Sequence, residues 1–293
     1  MGLVLVGSLL MPLPVHGRAA RAVFDLLHAP AFALFAAVTA RGLAHRLGRP
    51  GAARWVGWLI AVALGATTEF AQGFVGRHPG WEDLAANVLG ATAGALWAGT
   101  SWRRWTIPQA VRLAAGALLL GVASFNPLDA LAHECLAWFE MPRLTSFERA
   151  HELARWSARE CRMSRVDGHA THGAWALRLD FEPGRYPGVA LRFPPPDWSG
   201  YEQLLFDVHL DDGPDLDLVV KICDASHNGE PRDRFQQRVG LAAGHNEVRV
   251  DLADVRRGPR DRELALERIT LLQLFTVRLE SPRTVHLDNV RLR

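Results

Sequence analysis

The hydrophobic pattern of this chain changes character near residue 125. Before that point the apolar residues form long runs with few charges, at Gly2–Val15, Ala29–Ala40, Trp55–Thr68, Leu84–Trp102 and Leu113–Leu128. A helix that crosses a bilayer needs about 20 mostly apolar residues. With their polar ends included, these runs predict a bundle of about five transmembrane helices.

After about Thr145 the apolar residues recur at every second position. This alternation covers five stretches, Trp175–Phe181, Leu204–Leu210, Leu216–Ile222, Val248–Leu252 and Thr284–Arg293. Turn residues separate them, at Asp212-Gly213-Pro214, Asn228-Gly229 and Gly244-His245-Asn246. Period two between turns is typical of half-buried antiparallel strands, and many short strands predict a two-sheet sandwich or jelly roll.

The chain is therefore predicted to be an α+β protein of two domains. Residues 1–125 form the transmembrane helical domain and residues 147–293 the antiparallel β-sandwich. Residues 126–146 lie between them as an amphipathic junction, since Pro127 is expected to end the fifth helix. In this junction Leu131, Cys135, Leu136, Trp138 and Phe139 are expected to face lipid, with Asp129 and Glu134 in water.

Charge is distributed unevenly between the two parts. Residues 1–125 contain ten arginines and four acidic residues, whereas the remainder contains 23 basic and 27 acidic residues. The net charge of the whole chain is only +2, which argues against a nucleic-acid partner. The scarcity of charge in the first part favours a lipid bilayer as its surroundings.

Arginines in the connecting segments predict the orientation in the membrane. Loops rich in Lys and Arg stay in the cytoplasm, and two predicted loops are rich in arginine: Arg41, Arg46, Arg49 and Arg54, and Arg103 and Arg104 with Arg112 close by. Five helices then place the N-terminus inside and everything after Phe125 outside.

Two alternatives to the five-helix membrane domain stay open. A soluble helical bundle requires a charged outer face on each helix, and none is visible. A cleaved signal peptide at residues 1–17 lacks the usual basic segment before its apolar run. We therefore interpret Gly2–Val15 as a short first spanning helix.

The polar residues of the membrane part are expected at one depth, near its outer end. Spacings of three and four residues place side chains on one helix face. Ionisable groups within membrane segments are costly and usually belong to a functional site; the alternative is that they are interfacial or stabilise a turn. The set is Asp25, His28, Glu69, Gln72, Arg77, Asp83 and Asn87.

These spacings resemble the VanZ-like family of bacterial membrane proteins. The resemblance rests on Asp25-x-x-His28, Glu69-x-x-Gln72, Arg77 and Asp83-x-x-x-Asn87-x-x-Gly90-x-x-x-Gly94. It implies an integral protein of the bacterial inner membrane whose founding member is linked to low-level glycopeptide resistance, and it implies no established reaction. The C-terminal domain would then be periplasmic. Leu26 stands where the family often has a lysine.

The second part is similar to galactose-binding-like jelly rolls, with family 11 carbohydrate-binding modules and the complex-I-intermediate-associated domain nearest. The motifs are Pro195-x-Asp197-Trp198-Ser199-x-Tyr201, Phe206-Asp207-Val208, Asp233-Arg234-Phe235, Gly244-x-Asn246 and Leu287–Leu292. This resemblance implies a sandwich that often binds a glycan. The candidate sugar-binding residues are Trp198, Tyr201, Asp224, His227, Asn228 and Arg234, although the two aromatic residues equally suit the core.

No cofactor is expected, apart from a structural calcium ion that Glu148 and Asp288 would help to bind. His169-x-x-His172 has no third ligand in view and is interpreted as a solvated turn. A Cys161–Cys223 disulfide is conceivable, but the odd number of cysteines does not require one.

Two functions follow from the sequence, and no catalytic motif decides between them. In the first, a membrane module presents a sandwich that binds an envelope glycan or a partner. In the second, the protein is an intramembrane enzyme or transporter that acts on a lipid-linked envelope precursor. Asp25, His28 and Glu69 transfer protons, and Arg77 binds the phosphate of the precursor. Asp83 belongs to the same cluster.

Overall fold

A computed structural model describes residues 17–74, 80–99 and 106–293 of the chain, without the side chains of residues 72–74. The chain divides into two compact units, Met1–Glu134 and Cys135–Arg293. The predicted first helix, Gly2–Val15, and Arg77 lie outside the described residues, as does the side chain of Gln72.

The first unit is helical. The structure describes four substantial helices here, α1 (Arg18–Leu47), α2 (Pro50–Phe74), α3 (Trp81–Trp97) and α4 (Ile107–Phe139), the last of which continues beyond Glu134. They correspond to the second to fifth of the five predicted helices. By length and composition, two of the described helices, α1 and α4, would be able to cross a membrane. A buried core helix and a signal sequence meet the same criterion, so it is weak support for a membrane.

The helix α4 corrects the expected junction. Pro127 lies inside this helix, which continues to Phe139. A proline removes one backbone hydrogen bond, and here the helix bonds on either side of it are enough to continue the helix. The carboxylate of Glu134 is not in water either: it is largely buried and lies 3.2 Å from Nε of Arg18.

Small residues bring the first three helices into close contact. A Cβ atom at Gly90 or Gly94 of α3 would overlap the backbone carbonyl of Ala29 or Ala33 of α1. Because both numbers rise together, α1 and α3 run in the same direction. Gly57 of α2 meets Ala40 and Gly65 meets Phe32, so α2 runs in the opposite direction to α1. The start of α1, the end of α2 and the start of α3 thus lie at the same end of the bundle.

The helical unit has small residues inside and large apolar residues outside. The buried face of α1 is mostly alanine, with Phe32 among them. Large apolar side chains point outward instead, including Leu27, Leu34, Leu59, Leu118 and Phe125, each more than half exposed. This arrangement is the reverse of a water-soluble bundle, in which the large apolar residues are buried.

The second unit is a β-sandwich of two antiparallel sheets. In the first sheet the strand order is β3-β4-β11-β6-β9, and β1 also pairs with β11. In the second sheet the order is β2-β5-β10-β7-β8. The strands are β1 (Arg143–Thr145), β2 (Trp156–Arg159), β3 (Cys161–Val166), β4 (Ala176–Phe181), β5 (Gly188–Arg192), β6 (Gln203–Leu210), β7 (Leu216–Asp224), β8 (Phe235–Leu241), β9 (Gly244–Asp251), β10 (Ile269–Phe275) and β11 (Arg283–Leu292).

All five strands that the alternating pattern predicted are present, as β4, β6, β7, β9 and β11. Their inward residues form one apolar core between the sheets. One predicted turn was wrong: Gly244-His245-Asn246 opens β9, and the chain reverses just before it. A short helix, α5 (Leu252–Arg256), follows β9. The sandwich begins earlier than expected, since β1 starts at Arg143.

The close contact between α1 and α3 leads to a test of helix packing. We expect Gly94→Ala to lower the stability of the full-length protein in detergent by about 1–3 kcal/mol, because the added methyl group would force the two backbones apart. Gly121→Ala on α4 is the matched control, since a Cβ there meets nothing within 4 Å and alanine favours helix. Thermal unfolding checks both; equal melting temperatures for the two variants would contradict this packing.

Candidate functional site

Two buried or half-buried carboxylates and one arginine define the loop between β7 and β8. Asp224 is fully buried at the end of β7. The guanidinium of Arg262 donates Nη2–H to Asp224 Oδ1 at 2.8 Å and Nε–H to Asp233 Oδ1 at 2.5 Å. The backbone N–H of Ala265 donates to Asp224 as well, at 2.9 Å. This forked arrangement joins both ends of the loop to the segment that follows α5.

The network keeps both carboxylates ionised. Burial raises the pKa of Asp224, but the hydrogen bonds from Arg262 and Ala265 outweigh burial, so the net pKa lies below its ordinary value of 3.8. The hydrogen bond from Arg262 lowers the pKa of Asp233 to about 2. Since both pKa values are lowered by folding, this stabilisation is present above pH 4 and is lost as the pH falls toward 2.

The same loop forms one wall of an open groove of about 610 Å³. We call it the arginine groove, because three of its lining residues are arginines from separate positions of the loop and of the segment after α5. Its lining consists of Glu230, Pro231, Arg232, Arg234, Phe235, Gln236, Asp254, Gly258 and Arg260.

Hydrogen bonds between the lining residues hold the side chains and backbone of the groove in place. Arg232 Nε–H donates to Glu230 Oε2 at 2.7 Å, and Arg234 Nη2–H donates to Gln236 Oε1 at 2.8 Å. The backbone N–H of Arg260 donates to the carbonyl oxygen of Arg232 at 3.0 Å. The groove therefore presents three guanidinium groups and two carboxylates on an ordered frame, with a surplus of positive charge.

The predicted sugar-binding residues take different roles in this structure. Trp198 is completely buried, and its Nε1–H donates to the carbonyl oxygen of Pro195 at 2.8 Å. It belongs to the core, so the prediction that it stacks on a sugar is corrected. Tyr201 is partly buried against the same core. The carboxylate of Asp224 is hydrogen-bonded to Arg262 and buried, so it is not accessible to a sugar.

The other three candidates lie in or beside the groove. His227 and Asn228 both bind Asp233: the ring Nδ1 of His227 lies 2.7 Å from its carbonyl oxygen, and the N–H of Asn228 donates to its Oδ2 at 2.8 Å. They shape the loop. Only Arg234 of the six lines the groove. The sequence did not single out Arg232, Arg260 or Arg262, because their connection to Asp224 and Arg234 exists only after folding.

The two carboxylates proposed for calcium accept backbone hydrogen bonds instead. Asp288 Oδ2 accepts the N–H groups of Thr171 and His172, each at 2.7 Å. Glu148 Oε1 accepts those of Ala174 and Trp175, at 2.9 and 2.8 Å. They hold the segment between β3 and β4, and they bind different parts of it, which gives no support to a shared calcium ion.

In the helical unit, the structure brings part of the predicted polar cluster together. His28 Nδ1 lies 3.0 Å from Asn87 Oδ1, and both side chains are buried. Asn87 also packs on Gly65 of α2. Glu69 is buried one helical turn beyond Gly65, on the same face.

The remaining members of this cluster are near the same end of the bundle. Asp25 and Asp83 are partly buried at the starts of α1 and α3. That these residues and the rest of the cluster form one functional site stays a prediction.

Comparisons with known proteins concern the second unit. It is similar to a family 11 carbohydrate-binding module from Clostridium thermocellum, solved with a β-1,3-1,4-mixed-linked tetrasaccharide; the match has 17% identity and a TM-score of 0.42 and covers 51% of this chain and 93% of that one. A family 11 module of a cellulosomal cellulase of the same organism matches at 14% identity and a TM-score of 0.41, over 51% and 92%.

An exo-β-agarase matches at 19% identity and a TM-score of 0.42, covering 52% of this chain but only 24% of the agarase. No family model and no curated protein matches the chain. The C-terminal half thus resembles these modules in fold, and the VanZ-like resemblance of the first half stays a prediction.

The buried network leads to a stability test. We expect Arg262→Met to destabilise the sandwich by about 3 kcal/mol, because Asp224 would be left buried without its cation. Arg238→Met is the control, since Arg238 and Asp217 form an exposed pair of the kind that contributes about 0–1 kcal/mol. Urea unfolding at pH 7, followed by tryptophan fluorescence, measures both, and equal losses would show that the network is not needed for stability.

Proposed function

We propose that this protein is a membrane protein of the cell envelope whose C-terminal sandwich binds a glycan in the arginine groove. The observation that carries the proposal is the groove itself, an open cleft whose three guanidinium groups are held on a frame fixed by Asp224, Arg262 and Asp233. The sequence resemblance to family 11 carbohydrate-binding modules supports a glycan as the ligand class.

The chemistry of the groove favours an acidic glycan. A guanidinium group donates two parallel hydrogen bonds to a carboxylate, sulfate or phosphate. Arg232, Arg234 and Arg260 outnumber the two acids of the groove, Glu230 and Asp254. The one aromatic ring among the lining residues, Phe235, is 6% exposed, too little to stack on a sugar ring. Recognition would therefore be polar, with charged substituents preferred over neutral sugars.

The helical unit supports attachment to a membrane. Its interior is packed with small residues and its outer surface carries large apolar ones, a distribution that suits lipid as the surrounding solvent. We propose that α1 to α4 lie in the inner membrane as part of a VanZ-like domain, with the N-terminus in the cytoplasm and the sandwich outside, as the arginine distribution predicts.

The glycan proposal is tested on the full-length protein in detergent. Binding to an array that contains uronic-acid, sulfated and neutral oligosaccharides should be confined to the acidic ones. Arg234→Ala and Arg260→Ala should each weaken the binding at least about tenfold, since each removes a charged hydrogen bond of about 1.5–3 kcal/mol.

The matched control is Arg159→Ala, which removes an exposed arginine from β2, the opposite edge strand of the same sheet. It should bind as the unchanged protein does. Equal binding of neutral and acidic glycans, or equal losses in all three variants, would rule out the arginine groove as the site.

A second candidate function is supported by the buried His28–Asn87 pair. An imidazole, an amide and the carboxylate of Glu69 are buried at one end of three apolar helices. Burying such groups between apolar helices is costly, and they usually belong to a functional site. We propose as the alternative an intramembrane enzyme or transporter for a lipid-linked envelope precursor, with proton transfer through His28 and Glu69. Asp25, Arg77 and Asp83 are the other ionisable residues that the sequence assigns to this cluster.

The alternative is tested in cells. Deletion of the gene should change sensitivity to glycopeptides such as teicoplanin, and the wild-type gene should restore it. Glu69→Gln and His28→Gln should fail to restore it at normal protein levels, because neither amide transfers protons at neutral pH. Arg234→Ala is the control, since it alters only the sandwich. Full complementation by Glu69→Gln would eliminate the proton-transfer function.

A further inference from the structure

Three histidines and one aspartate meet on the outer face of the first sheet. His209 of β6 and His286 of β11 are direct cross-strand neighbours. His169, from the segment between β3 and β4, lies over both of them, with ring centroids 3.8 Å from His209 and 4.5 Å from His286. Asp211 follows directly after β6 at the same edge of the group.

The donor atoms of this group are close together. One donor atom each of His169, His209 and Asp211 lies within 4.8 Å of the other two. Nδ1 of His286 lies 3.3 Å from Oδ1 of Asp211. In a tetrahedral zinc site with bonds of about 2.0–2.1 Å, neighbouring ligand atoms are about 3.3 Å apart. The His286–Asp211 pair already has that spacing, and rotation of the exposed His169 would bring the third donor closer.

One buried imidazole nitrogen of this group lacks a hydrogen-bond partner among the described residues. His286 is 5% exposed, and its Nδ1 makes no hydrogen bond to any residue that the structure describes. Burial of a polar nitrogen without a partner is costly.

The surroundings hold the group in place and do not fill it with another cation. Asp288 fixes the neighbouring segment by accepting the N–H groups of Thr171 and His172. Arg178 is the cross-strand neighbour of His286 on β4, but its guanidinium binds Asp180, with Nη2 2.9 Å from Oδ1. Asp180 thus offsets part of the charge of Arg178, which still acts on His286.

We propose that His169, His209, Asp211 and His286 form a zinc-binding site. Imidazole nitrogens with one carboxylate are the donors that Zn²⁺ prefers, whereas Ca²⁺ and Mg²⁺ require oxygen donors. The ion would provide the partner that Nδ1 of His286 lacks. It would also attach the segment around His169 to strands β6 and β11. This site is separate from the arginine groove, which is formed at β8 in the other sheet.

Zinc binding is measured on the full-length protein in detergent, freed of metal, by competition with a chromophoric chelator. We expect one Zn²⁺ per sandwich. His169→Ala, which alters an exposed side chain, should weaken zinc binding by at least about tenfold, and His209→Gln should do the same, since loss of supporting groups alone costs about 10–100-fold. Co²⁺ in the same site should give the strong visible absorption of a tetrahedral complex.

His45→Gln is the control, because it removes an exposed histidine from the end of α1; its affinity for zinc should equal that of the unchanged protein. Circular dichroism verifies that each variant is folded. The proposal is overturned if the unchanged protein binds no zinc, or if His169→Ala binds it as tightly as the unchanged protein while remaining folded. Weak cobalt absorption typical of six-coordination would also overturn it.

Discussion

A buried charge is tolerated only where another group balances it or donates to it, and this constraint shapes the loops of the sandwich. Asp224 is buried because Arg262 lies against it. Glu152 is buried because it accepts Thr145 Oγ1–H and the N–H groups of Ser146, Phe147 and Arg149. Strand pairing alone gives two sheets; these carboxylates determine where the connecting segments lie on them.

The helical unit meets a different constraint with different residues. Its described helices approach each other through glycine and alanine, and the buried polar groups are few, with His28 and Asn87 in direct contact. Its large apolar side chains point away from the interior. The two halves of the chain thus distribute apolar residues in opposite ways, as expected if one half is surrounded by hydrocarbon and the other by water.

The sequence predicted those strands in which one face is apolar and the opposite face is polar. Strands β6 and β7 alternate clearly and were found. Strand β5 was missed because no polar residue interrupts Gly188–Leu191, and β8 because three polar residues follow one another after Phe235. Neither sequence shows period two. The helix end predicted at Pro127 was wrong, because a single proline does not show whether the helix that contains it continues.

The candidate sites were predicted less well because they form across the fold. Trp198 has the composition of a sugar-binding residue, and only its burial assigns it to the core. Nothing in the sequence indicates that Arg262 pairs with Asp224, because it is one of several arginines that follow α5. His169 was interpreted as solvated for want of a third ligand, and the strand register supplies His209 and His286 from distant segments.

The position of β8 has a consequence for solubility. Among the strands that the structure describes, β8 pairs with β7 alone and so forms an edge of its sheet. An unprotected edge can pair with a second copy of the chain. Arg234, just before this strand, and Arg238, in its middle, carry charge along that edge. If the same guanidinium groups both bind a ligand and prevent aggregation, mutations that adapt the groove to uncharged ligands would also increase the tendency of the protein to aggregate. The range of ligands that this edge can evolve to bind would then be limited by the solubility of the protein as well as by its affinity for each ligand.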